Sequence, residues 1–264
     1  MRKKLVVGNW KMNMTRSQAS AAVESLAQLV DSKSEVDVAI CPPYLAIETV
    51  SSVLKGHHVR YGAQDVFWAT AGAFTGNVSA GMLADAGCTF CIVGHSETRG
   101  RFGKLEVPES TIPYFSETDE TVNLKIKALI QQSIHPILCV GETLAERTEE
   151  RTDAVIADQL KGALAGISAD DFSNGVVAYE PVWAIGTGKT CDTPEANRVC
   201  AFIRTQLELL LGADAASSTR ILYGGSVKSG NAKDLFSQSD IDGGLVGGAS
   251  LDPEEFNGVI AGAL

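Results

Sequence analysis

Short runs rich in apolar and β-branched residues recur eight times along the chain, at 5–10, 36–41, 59–63, 90–94, 136–140, 176–179, 220–223 and 243–246. Between them lie longer stretches with helical spacing. One is 17–30, where Ala22, Leu26, Leu29 and Val30 share a face; others are 154–164 and 196–211. Strands that alternate with helices pair in parallel through helical crossovers. Eight such units with no device to protect a sheet edge predict an α/β protein: one closed (β/α)8 barrel over residues 1–264. A doubly wound open sheet is the alternative. The length of 264 residues suits one barrel, and no Gly/Ser linker or low-complexity block divides the chain.

The composition narrows the function. A formal net charge of -10 argues against a general nucleic-acid binder, which needs Lys and Arg for phosphates. It leaves room for a small anionic substrate in a locally positive pocket. Six cysteines, Cys41, Cys88, Cys91, Cys139, Cys191 and Cys200, include one C-x-x-C pair, but it leads into an apolar run and reads as part of a strand rather than a metal or redox site. Met1-Arg2-Lys3-Lys4 starts like a secretory signal, yet its apolar part stops at Gly8-Asn9 and is too short. No run approaches membrane-spanning length. A reduced, cytoplasmic location is expected, and the Asn77-Val78-Ser79 sequon is a chance match.

The chemistry-bearing residues follow strands. Asn9 and Lys11 come at the first strand end, His95, Ser96 and Glu97 at the fourth, and Glu180 at the sixth; Gly224-Gly225-Ser226 and Gly247-Gly248 follow the last two. In a barrel all five places fall on the C-terminal rim, where active sites form. Glu180 stands at the root of Pro181-Val182-Trp183-Ala184-Ile185-Gly186-Thr187-Gly188-Lys189, a loop without charge until its end. A loop that is apolar and glycine-hinged is suited to fold down as a lid over 181–190. Closure would strip water from the carboxylate and make it a stronger base. Taken alone, Glu180 also reads as a strand-end salt-bridge partner, His95 as a core histidine and Lys11 as a surface lysine. His57, His58 and His135 lack polar company at a strand end and are expected in the core. Glycines at 186, 247 and 248, with Ser226, would let backbone N–H groups approach a phosphate.

The motifs GNWKMN at 8–13, AFTG at 73–76, GHSE at 94–97, CVGE at 139–142, YEPVWAIGTGK at 179–189, YGGSV at 223–227 and LVGGASL at 245–251 together resemble the triosephosphate isomerase family over essentially the whole chain. That resemblance implies interconversion of dihydroxyacetone phosphate and D-glyceraldehyde 3-phosphate, a step of glycolysis and gluconeogenesis, through an enediolate. A carboxylate base with a neutral histidine electrophile is this family's established pairing. It implies Glu180 as the base, His95, Lys11 and Asn9 as its catalytic partners, and Gly186, Ser226, Gly247 and Gly248 as the phosphate grip. Glu97, Ser96, Cys139 and Tyr223 support them, with Glu97 holding the Lys11 ammonium. Further supporting residues are Tyr179, Glu142 and Trp183, the Glu meeting the lid Trp. If Ser96 and Glu97 open a short helix, its amides disfavour a cationic His95. No metal and no cofactor is implied. A homodimer through the 64–78 loop is implied, with Thr75 at its tip and Phe67, Trp68 and Phe74 adding apolar area.

The chain departs from the family in two places. Residues 100–116 fill a gap where the family has about four, an insertion on the scale of a surface loop. Pro108 and Pro113 argue against a continuous helix there. A surface excursion and an added interface arm are both open. Asn77 and Thr98 stand where the family often carries an ion pair across the dimer; losing both partners strands no charge. Two other classes remain: a phosphate-metabolite binder without turnover, and an interaction protein built around the insertion.

Overall fold

The protein is seen here as a computed structural model that describes residues 2–30 and 35–264; Met1, of the basic N-terminal stretch, lies outside the described residues. Eight strands, β1 (Leu5–Asn9), β2 (Asp37–Cys41), β3 (Arg60–Ala63), β4 (Phe90–Val93), β5 (His135–Val140), β6 (Val176–Tyr179), β7 (Arg220–Tyr223) and β8 (Gly243–Val246), close into one barrel in chain order. Every pairing is parallel, and the seam joins Leu5 of β1 to Gly243 of β8. The open sheet is thereby excluded. The helices are α1 (Arg16–Val30), α2 (Ile47–Val53), α3 (Ala80–Asp85), α4 (Asp119–Gln131), α5 (Leu144–Thr148), α6 (Thr152–Ala163), α7 (Thr193–Leu211), α8 (Ala213–Ser218), α9 (Ser229–Phe236) and α10 (Pro253–Ala261).

The strands read as near-continuous apolar runs because both of their faces are buried. Alternate residues point inward: Leu5, Val7, Ala39, Cys41, Phe90, Ile92, Ile137 and Cys139 fill the barrel lumen. Their neighbours Val6, Val38, Ile40, Cys91, Val93 and Leu138 point outward into the layer beneath the helices. The lumen is therefore a packed plug, and a site can form only at its mouth.

Several local expectations shift. On α1 the buried face is Ala19, Val23, Leu26, Ala27 and Val30, with Ala22 and Leu29 only half-buried. A helix seated on a barrel buries a stripe wider than one row of spaced residues. β4 stops at Val93 because Gly94 leaves extended geometry at a φ of 68°. His57 and His58 are exposed in a surface turn, and His135 is half-buried with its ring edge-on to Phe90. All six cysteines are free and buried. Among the described residues no helix is long and apolar enough to cross a membrane, and no group of three or more His, Cys, Asp or Glu could hold a metal ion.

Residues 100–116 leave the barrel between β4 and α4. They carry a 3-10 turn over Glu109–Tyr114 with Pro113 inside it and no α-helix. The base of this excursion is pinned: the Glu117 amide donates to the Thr98 carbonyl at 3.2 Å, and Phe102 meets Phe115 edge to face.

Candidate active site

Glu180 follows the last residue of β6 and is only 2% exposed. Its Oε1 lies 2.8 Å from His95 Nε2, and its Oε2 accepts the Ser96 amide at 2.9 Å. Both oxygens are thus engaged by the segment that leaves β4. The Cys139 thiol, on the lumen face of β5, interacts with the same carboxylate. Burial and that negative charge push the thiol well above the ordinary cysteine range, so Cys139 remains a neutral donor. Burial alone would raise the Glu180 carboxyl. The His95 ring beside it, their hydrogen bond and the Ser96 amide outweigh burial and hold it below the usual glutamate range.

His95 is 6% exposed. Burial disfavours its cation, whereas Glu180, their hydrogen bond and Glu97 favour it, and the balance of charge runs upward. The hydrogen bonds decide the proton's place. The Glu97 amide donates to Nδ1 at 3.2 Å, which requires a lone pair there. The tautomer that satisfies this contact carries its one proton on Nε2, facing Glu180, and is neutral, while the nearby Glu180 and Glu97 carboxylates pull toward the cation. Residues 96–100 form a hydrogen-bonded turn rather than the expected helix start, with the Thr98 and Arg99 amides both donating to the His95 carbonyl at 3.0 and 3.1 Å. One well-aimed amide does locally what a helix terminus would do.

Lys11 is held in a left-handed backbone conformation, φ 51°. Such a residue persists only where its surroundings over-determine it. Here its amide donates to Asn9 Oδ1 at 3.0 Å and its carbonyl accepts Gln64 Nε2 at 2.8 Å. Its ammonium pairs with the Glu97 carboxylate. The partnership expected between Lys11 and Glu97 is present. Gln64 was missed, although the same strand-end rule applied to β3 points straight to it.

A cavity of about 790 Å3 opens above the barrel. Asn9, Lys11, His95, Ser96, Glu97, Glu180, Gly186, Ser226, Gly247 and Gly248 all line it. Cys139 and Tyr223 stand behind that wall, with Tyr223 buried and its ring 6.3 Å from that of Tyr179. The volume is ample for a metabolite of a few carbons. The floor is a carboxylate and an imidazole, one side carries an ammonium, and the far rim consists of glycines and a serine.

The loop after Glu180 forms a 3-10 turn over Val182–Ala184, then passes Gly186 at φ 67° and Gly188 at φ 77°. Those left-handed positions suit glycine and let the loop reverse tightly. Trp183 anchors it: Nε1 donates to Glu142 Oε1 at 2.8 Å, and the Arg147 guanidinium lies 4.5 Å over the ring. Tyr179 donates to the same Glu142 oxygen at 3.2 Å. The expected meeting of Glu142 with the lid Trp is observed. Sequence reasoning missed Arg101, which forms a two-point pair with Glu146 on α5 and donates to the Gly141 carbonyl at 3.1 Å. No motif marks that contact between residues 45 positions apart.

A closed parallel barrel that gathers a carboxylate, a neutral imidazole and an ammonium beside a glycine rim belongs to the barrel enzymes that perform acid–base chemistry on small anions. The sequence profile described as triosephosphate isomerase matches residues 4–263. The chain is 46% identical over 260 residues to the triosephosphate isomerase of Alkaliphilus oremlandii, covering 98% of this chain and 99% of that one. It is 48% identical over 260 residues to that of Trichlorobacter lovleyi, with 98% of each covered. With that of Carboxydothermus hydrogenoformans it shares 46% identity over the full length of both. The chain belongs to the triosephosphate isomerase family.

Proposed function

We propose that the protein interconverts dihydroxyacetone phosphate and D-glyceraldehyde 3-phosphate by proton transfer through an enediolate. The observation that carries this reading is the buried Glu180 carboxylate, 2.8 Å from His95 Nε2 at the floor of the cavity. Glu180 removes a proton from the carbon next to the substrate carbonyl. The Nε2–H of His95 donates to the oxygen on which charge develops. The Lys11 ammonium adds attraction for that oxygen and for the phosphate. The hydroxyl proton of the deprotonated carbon passes through His95 Nε2 to the former carbonyl oxygen, and Glu180 returns its proton to the former carbonyl carbon, so base and imidazole are both regenerated and no net redox change occurs.

In the resting arrangement both Glu180 oxygens are taken by His95 and Ser96. Substrate must draw the carboxylate away from these partners before it can act. The pull that raises His95 comes mainly from Glu180 and departs with it, leaving burial to keep the ring neutral when it faces the substrate oxygen. Gly186, Ser226, Gly247 and Gly248 grip the phosphate, and Gly186 belongs to the lid. Phosphate binding and closure over 181–190 are then one event, and closure shields the enediolate from water.

The same reading extends to a single barrel domain with an insertion near 100–116, a cytoplasmic location, and a homodimer through the 64–78 loop. Support for the dimer is physical. Met12 is 96% and Phe74 45% exposed, and Phe67 stacks on Trp68 at 4.1 Å within the same loop. This apolar area would stay wet in a monomer. Thr98, at the family's ion-pair position, donates to Glu117 Oε2 at 2.5 Å within its own chain, so no charge awaits a partner there. Turnover in a coupled assay on the pure protein, with and without Glu180→Gln, tests the central claim. A folded protein that binds phosphate saturably yet shows no turnover would overturn it.

A further inference from the structure

The excursion after His95 runs along the lid. Gly103 sits so close to the lid backbone that a Cβ there would collide with the carbonyl oxygens of Val182 and Ile185, and would lie 3.1 Å from Thr187 Cγ2. This is a backbone-on-backbone approach that only glycine permits. A second cavity, about 590 Å3, lies between Phe102–Lys104 on one side and Trp183 with residues 186–189 on the other. Two contacts make this limb firm. Arg101 ties it to α5 through Glu146 and to the loop after β5 through the Gly141 carbonyl. Phe102 leans edge-on against Phe115 of the returning limb. The lid thus rests between Glu142 and Arg147, which hold Trp183, and the 101–104 limb, which meets its turn.

We infer that residues 101–104 form a bearing on which the lid turns, with Gly103 a positioning residue whose missing side chain seats the Val182–Ile185 turn and Arg101 the residue that fixes the bearing to the barrel. This inference rests on the isomerase reading. It gives the first part of the 100–116 excursion a role at the lid. A packed turn can slide past a smooth backbone ridge but not past a protruding methyl group. A side chain at position 103 must displace the lid turn at Val182 and Ile185 and the Thr187 side chain beyond it. The reaction step most sensitive to this displacement is the one that uses the substrate's phosphate to close the lid.

The test compares two substrates in Gly103→Ala and Arg101→Gln: D-glyceraldehyde 3-phosphate, and D-glyceraldehyde, which lacks the phosphate. For the phosphorylated substrate kcat/KM should fall on the order of tenfold or more, since closure over the bound phosphate is what the variant impedes. Proton exchange on D-glyceraldehyde should change by less than about twofold, because without phosphate there is no grip to drive closure. Trp183 fluorescence should lose part of its response to inorganic phosphate in both variants. Arg101→Gln removes a tether without adding bulk, so it reports even where Gly103→Ala folds poorly. Equal losses on both substrates would mean general damage to the site and overturn the bearing. Unchanged kinetics in an active protein would also overturn it. Wild-type protein inactive on the phosphorylated substrate would instead refute the isomerase reading itself.

Discussion

Glu180→Asp keeps the charge and withdraws the carboxylate by one methylene, about 1.5 Å. Its oxygens now stand 2.8 Å from His95 Nε2 and 2.9 Å from the Ser96 amide. Withdrawn along its own axis, each would sit roughly 4.3 Å from its partner, beyond hydrogen-bonding reach. The same shortfall applies at the substrate carbon, because the shorter side chain hangs from a backbone that the Glu180 amide ties to the Val140 carbonyl at 2.8 Å. A displacement of this size costs on the order of 100-fold or more in rate, about 3 kcal/mol on the barrier. Phosphate should bind nearly as before, since its expected partners Gly186, Ser226, Gly247 and Gly248 lie on other parts of the rim. Steady-state kinetics in both directions, with inorganic phosphate as competitive inhibitor, read these two quantities separately. Turnover within about threefold of wild type would remove Glu180 from the base role, because no base positioned this tightly tolerates such a retreat. A parallel loss of phosphate affinity would place the fault in the fold rather than in the chemistry.

Nitrogen NMR of the His95 ring should show a neutral imidazole protonated at Nε2 near neutral pH, and an imidazolium there would contradict the Glu97 amide contact. His95→Gln should retain some turnover because its amide can still donate, while His95→Ala should lose more. At the other end of the barrel, burial works against the Asp37 carboxylate, but hydrogen bonds from Lys3 and Arg220 and their charges hold its pKa below the ordinary aspartate value. A depressed acid stabilises the fold above its unfolded pKa and loses that contribution as pH falls through the lower folded value. Urea midpoints should therefore fall on acidification below about pH 4, with a shallower slope in Arg220→Gln; identical slopes would refute the linkage. Sedimentation should show a dimer whose contact survives salt, since apolar area rather than an ion pair holds it. A monomer with full activity would refute the dimer.

The barrel was legible in the sequence because the strands are short, mostly apolar and separated by stretches of helical spacing, and five of the eight are followed by chemistry at one end. The alternation that separates lumen from helix layer was not legible, since Val6 and Val7 are chemically alike and only closure of the sheet sends them to opposite sides. Strand ends were read to within a residue or two, and Gly94 explains one excess. The residues that line the cavity were legible for a related reason: a polar group at the end of an apolar strand has only the rim to occupy. Asn9, His95 and Glu180 each fit that rule, and the rule also marks Gln64. What could not be read was pairing across distance. Ser96 and Glu180 are 84 positions apart, and nothing in either motif says that one amide holds the other's carboxylate.

That contact changes what the opening alternatives for Glu180 mean. A strand-end acid in a polar pair and a catalytic base are not competing descriptions, because the resting carboxylate is paired and still lies in the reaction cavity. What separates them is the reversibility of the pair. A structural salt bridge buried this deeply would be costly to break. Here the partners are a neutral ring and a single backbone amide, and the root of the lid begins at the next residue, Pro181. A chain that folds its lid from the same segment as its base couples the two motions through only a few backbone dihedrals. Trp183 reports the same logic from the other side. Its ring nitrogen rests on one oxygen of Glu142, while the second oxygen is buried without a hydrogen-bond partner. Burial raises the Glu142 carboxyl despite the donors from Trp183 and Tyr179. Removing the Trp183 donor would leave this buried carboxyl less satisfied still, so the lid root stays tied to Glu142, whose Oε1 also meets Tyr179 and Arg147. On the proposed reading, a phosphate bound at Gly186 pulls on the stretch beyond this anchor, and because the base and the lid share one segment the pull reaches Glu180.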